Sequence, residues 1–344
     1  MTRLDADPAE AAEAPVATPP PLAADASSGA SGRVGPGPRA VLLEAREVPL
    51  GGVRRMSVHR ALPQRDLPMV GAWCFLDRFG PQDTVMRVEP HPHIGLQTVT
   101  WPLVGEVRHR DAVGSDVVVR RGVLNLMTSG VGIAHSEYSV GDGPIPLDAL
   151  QLWVALPESR RHGEPAFAQH ADLPVVALEA AAGAAPGEAT VVLGALGAVR
   201  SPASAHTPIV GAELRIPAGS RVVVPLDPAW EHAVVGIRGD VVVHAHPSVT
   251  TGPQHLVYLG DGRTTIELDA SEASTVFLLG GEPFPDEIVM WWNFVGRSHE
   301  EIVEAREAWE AGSPRFGRVT GHGEERIPAP PLPAVRLRPR SRRL

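Results

Sequence analysis

The sequence has no lysine and a single cysteine, Cys74, among its 344 residues. One cysteine excludes a disulfide bond within the chain. Cys74 lies in the apolar run 70–76, so we expect it to be a small buried hydrophobic residue. The lack of lysine, together with the abundance of alanine, glycine and proline, reflects a bias of genome composition and indicates no function.

Long apolar runs are also absent, since no stretch approaches the ~18 residues that a membrane-spanning helix needs. The first residues lead into an alanine- and proline-rich segment and not into an apolar export signal. These absences predict a soluble, cytoplasmic protein with no membrane partner. The net charge of −9 argues against a general nucleic-acid binder, so nucleic acid is not an expected partner.

Aromatic residues make up only 5% of the chain, whereas glycine and proline number 35 each. This composition favours turn-rich β structure over helical bundles. Short β-type runs alternate with glycine turns between residues 40 and 157, and similar runs recur between residues 190 and 295. Residues 98–107 can be aligned with residues 232–241, and both read as a strand, a glycine turn and a strand. We therefore predict an all-β fold built from a tandem repeat of one antiparallel barrel.

Composition also predicts the domain boundaries. Residues 1–38 contain no aromatic residue and cannot bury enough apolar surface to offset the entropy of ordering, so we expect a disordered tail. The predicted order after it is a first barrel at 40–160, an inter-domain segment at 161–206, a second barrel ending in a helix at 207–312, and a C-terminal tail at 313–344.

The C-terminal region has two features. Ser298 and Glu301 form a capping box before an apolar stripe, and Gly312 with Pro314 ends the pattern, which predicts a short helix packed on one barrel. The last residues form a basic tail, which we interpret as a solvated terminus, with a nucleic-acid or acidic-partner contact as the alternative. The arginines of this tail are Arg336, Arg338, Arg340, Arg342 and Arg343.

Two pairs of metal-ligating residue types lie in the first β-rich region. His91 and His93 form one pair, His135 and Glu137 form the other, and each pair is spaced i, i+2 in or beside an apolar stretch. Alternate side chains of a strand point to the same face, so two neighbouring strands would bring all four residues to one place. The alternative is that they are separate polar residues on a solvated sheet face.

Three imidazoles and one carboxylate suit a divalent transition metal (Fe, Ni, Cu, Mn or Zn) better than calcium or magnesium. Glu137 is the only carboxylate of the four, so it would offset part of the metal charge. It is also the candidate catalytic residue, because its oxygen could take a proton from an incoming hydroxyl group.

Four segments of this region resemble the pirin family: residues 91–101, 105–111, 127–137 and 150–156. The resemblance covers roughly residues 40–312 and is densest over 91–156. It implies a bicupin, in which two antiparallel cupin-type barrels follow one another and only the N-terminal barrel binds a metal. By position, the family's metal ligands correspond to His91, His93, His135 and Glu137, and the usual metal is iron.

The sequence departs from the family pattern at Gln97, where cupins and pirins commonly have glutamate. A neutral amide is a poor metal ligand, which favours Glu137 as the fourth ligand and leaves Gln97 as a possible hydrogen-bond partner of the ligands. In the second barrel, Pro225 and Asp227 occupy the positions of His91 and His93. That barrel is therefore expected to bind no metal.

Three further histidines and one aspartate lie outside the predicted set of metal ligands. His244 and His246 form a His-x-His pair without a His-Ser-Glu partner, and we interpret them as incidental. His109 and Asp111 follow the first metal strand. We expect them in a surface loop, with a contact at the rim of the pocket as the alternative.

The resemblance implies two main functions. One is a quercetin (flavonol) 2,3-dioxygenase, in which the metal binds the deprotonated hydroxyl of an aromatic substrate. The other is a non-enzymatic metalloprotein whose metal redox state regulates binding to a protein partner. A third, minor hypothesis is a structural bicupin that keeps the site without chemistry. All three keep the four ligands, and a cupin scaffold alone does not separate them.

Overall fold

The structure is a computed structural model that describes residues 37–50, 56–181, 183–340 and 343–344. Nearly all of the predicted disordered tail, 1–38, lies outside these residues. The described part is almost entirely β structure and contains two cupin barrels and one short α-helix, which confirms the predicted fold class. No helix in this part of the chain combines the length and apolar character that crossing a membrane requires.

The described residues of the first half of the chain form twelve strands. They are β1 (Pro38–Glu44), β2 (Arg46–Leu50), β3 (Met56–Leu62), β4 (Trp73–Thr84), β5 (Arg87–His93), β6 (Leu96–Val104), β7 (Glu106–Asp111), β8 (Asp116–Arg120), β9 (Leu124–Thr128), β10 (Ile133–Ser139), β11 (Ile145–Ala155) and β12 (Ala166–His170).

Thirteen strands and the helix form from the described part of the second half. They are β13 (Val175–Ala180), β14 (Gly187–Leu196), β15 (Val199–Arg200), β16 (Ile209–Ile216), β17 (Ser220–Pro225), β18 (Glu231–Arg238), β19 (Val241–Val243), β20 (Val249–Thr251), β21 (His255–Gly260), β22 (Thr265–Ala270), β23 (Ser274–Gly281), β24 (Val289–Trp291), β25 (Phe294–Gly296) and α1 (His299–Glu310).

The strand order shows the repeat directly. The first barrel has a four-stranded sheet, β5-β10-β7-β8, that faces a larger sheet containing β9-β6-β11-β4. The second barrel repeats both runs in the same order, as β17-β22-β19-β20 and β21-β18-β23-β16. The weak sequence alignment of residues 98–107 with 232–241 therefore reflects two copies of one topology.

One strand departs from the predicted domain order. β1 was expected to begin the first barrel, but it pairs with β21 of the second barrel, with Leu42 opposite Val257. Its side chains Val41 and Leu43 pack against an apolar cluster formed by both barrels, which explains why the strand docks there. Local pattern identified the strand but could not identify its partner.

The two barrels share a buried contact surface. The Trp73 indole donates to the backbone oxygen of Val210 at 3.0 Å, and the Trp101 indole donates to the Glu213 carboxylate at 2.8 Å. Both tryptophans belong to the apolar cluster that spans the barrels. Because the two buried indole N–H groups find their acceptors in the other barrel, the contact between the barrels stabilises both of them.

The helix forms as predicted. The Ser298 hydroxyl accepts the backbone N–H of Glu301 at 3.2 Å, and Ile302, Ala305 and Trp309 are buried. The chain leaves the helix through Gly312, which adopts φ +66°.

The segment after the helix packs on the first barrel, whereas Arg336, Arg338 and Arg340 of the basic tail are exposed, as expected of a solvated terminus. Ile327 is only 2% exposed, and it packs in one apolar cluster with Ile94 and Ala134 of the first barrel. Arg336 pairs with Glu300 of the helix. At the end of the chain, the backbone N–H of Arg343 donates to the Asp66 oxygen. Arg342 lies outside the described residues.

Candidate metal centre

All of the candidate ligands come from the four-stranded sheet of the first barrel. β5 and β10 are antiparallel neighbours, and His135 lies opposite His91. β7 flanks β10 on its other side and places His109 opposite Glu137. The i, i+2 spacing of each pair therefore points the side chains to one face, and strand pairing brings the pairs together.

The ligand atoms form two groups that share one histidine. His91, His93 and His135 each place one ring nitrogen within 4.8 Å of the others. His109, His135 and Glu137 form a second group with the same limit. The four residues predicted from the sequence are thus adjacent, but Glu137 is grouped with His135 and not with His91 and His93.

Two of the imidazoles are oriented by backbone carbonyl groups. His91 Nδ1 lies 2.9 Å from the Glu89 oxygen, and His93 Nδ1 lies 3.0 Å from the Asn293 oxygen. A carbonyl only accepts, so in both rings Nδ1 carries the hydrogen and donates it. The Nε2 atoms of His91 and His93 are therefore left with a free lone pair, which is the form that binds a metal.

The third imidazole is oriented by a histidine and an aspartate. The Asp111 carboxylate accepts the backbone N–H groups of Val113 and Ser115, and it lies 3.0 Å from His109 Nε2. His109 therefore donates from Nε2 and can accept at Nδ1, which is 3.4 Å from His135 Nδ1. In the tautomer in which His135 donates from Nδ1 to His109, His135 also keeps Nε2 free.

This pattern of hydrogens fits a cation. His93 Nε2 and His135 Nε2 are 3.0 Å apart. When both rings carry their hydrogen on Nδ1, neither of these two atoms carries one. Two lone pairs at that distance repel each other unless a positive charge lies close to both. The site offers three imidazole nitrogens and one carboxylate beside them, and a divalent transition metal fits this donor set.

Burial keeps the three imidazoles neutral. Burial lowers the pKa of His91 to about 4, and it lowers the pKa of His93 and of His135 well below the usual value. Nearby histidines lower the pKa of each ring further. Neutral imidazoles are the ligand form, so near neutral pH these rings need lose no proton to bind a metal.

The Glu137 carboxyl is also buried, and burial raises its pKa. The Thr100 hydroxyl lies 3.2 Å from Glu137 Oε1 and 2.9 Å from Gln151 Oε1. A hydroxyl carries one proton, so it can donate to the ionised Glu137, or accept from the neutral acid while donating to Gln151. The larger sheet, which carries Thr100 and Gln151, therefore supports Glu137 in both protonation states.

The hydrogen bonds of Gln97 do not involve the candidate ligands. The chain turns at Gly95, which has φ +69°, so Gln97 lies on β6 in the larger sheet and not on the strand of His93. Its amide nitrogen donates to the Thr128 hydroxyl and the Ser204 oxygen, and its Oε1 has no hydrogen-bond partner. The expected hydrogen bond between Gln97 and the ligands is therefore wrong.

His109 and Asp111 lie in the barrel interior, so the expected surface loop is wrong as well. Each residue is 2% exposed, and the His109 ring stacks on Phe167 with 4.6 Å between centroids. The sequence does contain the signal, because His109 and Asp111 are a third i, i+2 pair in a β-type run. This pair belongs to the site only because β7 pairs with β10, and the sequence spacing does not show that pairing.

The corresponding positions of the second barrel are aliphatic, so the predicted placement of Pro225 and Asp227 there is wrong. β17 and β22 correspond to β5 and β10, and they pair Val222 with Leu268 and Val224 with Ile266. These four side chains belong to one apolar core. His244 and His246 lie beyond the end of β19, and His246 is exposed. Among the described residues, neither histidine belongs to a group of three that could hold a metal.

Comparison with known proteins gives family matches in both halves of the chain. Residues 55–154 match the Pirin family, and residues 211–317 match the Pirin C-terminal cupin domain. The chain is 42% identical over 293 residues to a Pseudomonas aeruginosa protein provisionally named quercetin 2,3-dioxygenase, with 84% of this chain and 89% of that protein covered. It is 33% identical over 301 residues to a pirin-like protein of Caulobacter vibrioides, with 84% and 99% covered.

A solved structure shows the same architecture. The chain is similar to the crystal structure of quercetin 2,3-dioxygenase from Acinetobacter baumannii, with a TM-score of 0.79 and 38% sequence identity. The match covers 87% of this chain and 97% of the other. Both barrels are therefore found in the same arrangement in a related protein.

Proposed function

The chain belongs to the pirin family, as its motifs indicate, and within that family we propose that it is a metal-dependent flavonol 2,3-dioxygenase. In this proposal one divalent metal is held by His91, His93, His135 and Glu137. Iron is the metal that we expect in the cell, and nickel, copper, manganese and zinc also suit the donor set.

One observation carries the proposal. Backbone carbonyls fix His91 and His93 so that Nε2 keeps a free lone pair, His135 keeps one when it donates to His109, and the His93 and His135 Nε2 atoms are then only 3.0 Å apart. Such an arrangement is costly without a cation and favourable with one. When bound, the metal would supply a Lewis acid for an oxygen-donor substrate and the redox chemistry for dioxygen.

Glu137 is suited to receive the proton of the substrate hydroxyl. Burial raises the pKa of its carboxyl, and the Thr100 hydroxyl 3.2 Å from its Oε1 can form a hydrogen bond with either protonation state. The proton would pass from the flavonol hydroxyl to a Glu137 oxygen, and Thr100 would then accept a hydrogen bond from the neutral acid. In this step the substrate becomes an anion and Glu137 becomes neutral.

Aromatic side chains pack beside the imidazoles. The Trp153 ring meets His93 edge-on, with 5.2 Å between centroids, and Phe75 stacks on Trp153 at 4.0 Å. The names of the Pseudomonas and Acinetobacter relatives point to a flavonol substrate.

The proposal is tested by combining metal analysis with an oxygen electrode. Purified protein loaded with iron, nickel, copper or manganese should consume one O₂ for each quercetin lost. Glucose of equal concentration serves as the control substrate, because it has hydroxyls but no aromatic ring. Metal-loaded protein that turns over no flavonol with any of the four metals would favour the alternative of a metal-dependent regulator.

A further inference from the structure

The segment that follows the Pirin C-terminal cupin match covers the outer face of the metal-bearing sheet. We refer to residues 318–340 as the C-terminal strap. Its Ile327 lies in the apolar cluster that also contains Ile94 and Ala134, and these two follow and precede the candidate ligands His93 and His135. The strap therefore packs directly behind the strands that carry the ligands.

Backbone hydrogen bonds fix the strap to β5. The N–H of Ile327 donates to the oxygen of Pro90 at 2.8 Å, and Pro90 immediately precedes His91. The Trp309 indole of the helix donates to the Ile327 oxygen at 2.8 Å. The strap is thus held between α1 and the strand that carries His91 and His93.

His322 joins the two ligand-bearing strands from outside the barrel. On β10, Ser136 and Tyr138 alternate with the ligands and so point to the opposite face. The Ser136 hydroxyl lies 2.9 Å from His322 Nε2, and the Tyr138 hydroxyl lies 3.2 Å from His322 Nδ1. Tyr138 also donates to the Glu89 carboxylate of β5, so the network connects β10 to β5.

The contacts are mutually consistent for a neutral ring. Tyr138 donates to Glu89 and can accept from His322 Nδ1, while the Ser136 hydroxyl donates to Nε2. Both ring nitrogens then have partners, and the ring is 7% exposed. Ser136 lies between His135 and Glu137, and the Glu89 carbonyl orients His91, so each anchor of the network is tied to a ligand.

We propose that the C-terminal strap is part of the metal centre, with His322 as a positioning residue that holds β5 and β10 in the register needed to bind the metal. This inference rests on the proposed metal site. It explains why a chain segment outside both family matches is buried against this sheet and not elsewhere.

Glu89, His322 and Glu325 also lie close enough together to hold a cation themselves. Two observations favour the positioning role. Both nitrogens of His322 already have protein partners, and Arg87 lies 3.6 Å from the Glu89 carboxylate, where it offsets the charge that a cation would need. A second metal is therefore treated as an outcome of the test.

The test measures nickel(II) affinity, nickel stoichiometry and the melting temperature of the metal-free protein. The variants are His322→Ala, Ser136→Ala and the double variant, with Arg336→Ala as control. Arg336 lies on the same strap but pairs with Glu300 of the helix, away from the ligand strands. We expect each single variant to raise the nickel Kd by about 10-fold, a typical effect of groups that orient metal ligands.

The double variant should bind nickel as tightly as the single variant with the lower nickel affinity, because both substitutions remove the same contact. Arg336→Ala should bind nickel as the wild type does. If His322→Ala does not fold, Ser136→Ala and His322→Gln carry the comparison.

Three results would overturn the positioning role. One is an unchanged nickel Kd with a lower melting temperature, which would show a structural role alone. Another is additive loss in the double variant. The third is a wild type that binds two nickel ions and loses one on His322→Ala, which would make His322 a ligand. A wild type that binds no nickel would instead reject the proposed metal site itself.

Discussion

His109 Nδ1 lies 3.4 Å from His135 Nδ1, and this contact makes His135 the end of a chain that begins at a buried carboxylate. Although burial opposes the effect, hydrogen bonds from His109 and Ser115 lower the pKa of Asp111. The ionised Asp111 carboxylate accepts from His109 Nε2, which leaves His109 Nδ1 able to accept from His135 Nδ1. Protein carboxylates commonly orient metal-ligating histidines in this way.

The first prediction follows from that contact. His109→Ala should weaken metal binding by about 10- to 100-fold without abolishing folding, because His135 loses the acceptor that fixes its ring. Asp111→Asn should weaken metal binding less than His109→Ala does, since an amide oxygen can still accept from His109 Nε2. The measurement is a metal titration of each purified variant, followed by calorimetry or by the absorption of bound cobalt(II).

A histidine of the second barrel provides the control. His244→Ala removes a half-buried imidazole that lies 3.8 Å from Asp269, far from the ligands in the fold. It should leave metal affinity unchanged. Equal affinities in His109→Ala and His244→Ala would show that His135 needs no partner at Nδ1.

The second prediction is one metal per chain, in the first barrel. The second barrel has valine, isoleucine and leucine where the first has ligands, so it offers no nitrogen or oxygen donor there. Elemental analysis of the wild type should give one equivalent, and a His91→Ala/His135→Ala double variant should give none. Two equivalents in the wild type, or one in the double variant, would contradict this.

The candidate ligands were predictable because their signal is local. An i, i+2 pair shares a face of any strand, and His91, His93, His135 and Glu137 required only that two such strands be neighbours. The fold class was predictable for a related reason, because glycine turns at regular intervals mark short antiparallel strands.

The errors arose where strand pairing decides the outcome. Gln97 follows His93 by four residues, but the turn at Gly95 moves it to the other sheet. His109 is polar and follows a glycine turn, yet β10 pairs with β7 and buries it. The docking of the C-terminal strap was not predicted, because it depends on a few apolar residues such as Ile327, whereas the arginines of the basic tail are exposed as expected. Contacts between residues far apart in the chain produce no periodic pattern in the sequence.

The third prediction concerns stability against pH. Burial lowers the pKa of His232, in the second barrel, to about 4, whereas an unfolded histidine has a pKa of about 6.5. Between these values the unfolded state binds more protons than the folded state, so stability falls as the pH falls. His232→Gln should lose less stability than the wild type between pH 6.5 and 4, as measured by urea unfolding.

The matched control for that measurement is His162→Gln, because the His162 side chain is exposed. It should follow the wild-type curve. A His232→Gln curve parallel to that of the wild type would show that this histidine does not contribute to acid sensitivity.

The last prediction separates the two roles proposed for Glu137, as a ligand and as a base. Gln keeps the shape of the side chain but loses charge and basicity, whereas Asp keeps the charge and withdraws it by one methylene group. Glu137→Asp should therefore retain more metal than Glu137→Gln, as measured by elemental analysis after dialysis. Glu137→Gln should lose flavonol turnover even when assayed per bound metal, because no carboxylate is left to take the hydroxyl proton. Full turnover per metal in Glu137→Gln would exclude the base role and leave Glu137 as a ligand at most, and Thr100 would then only orient that ligand.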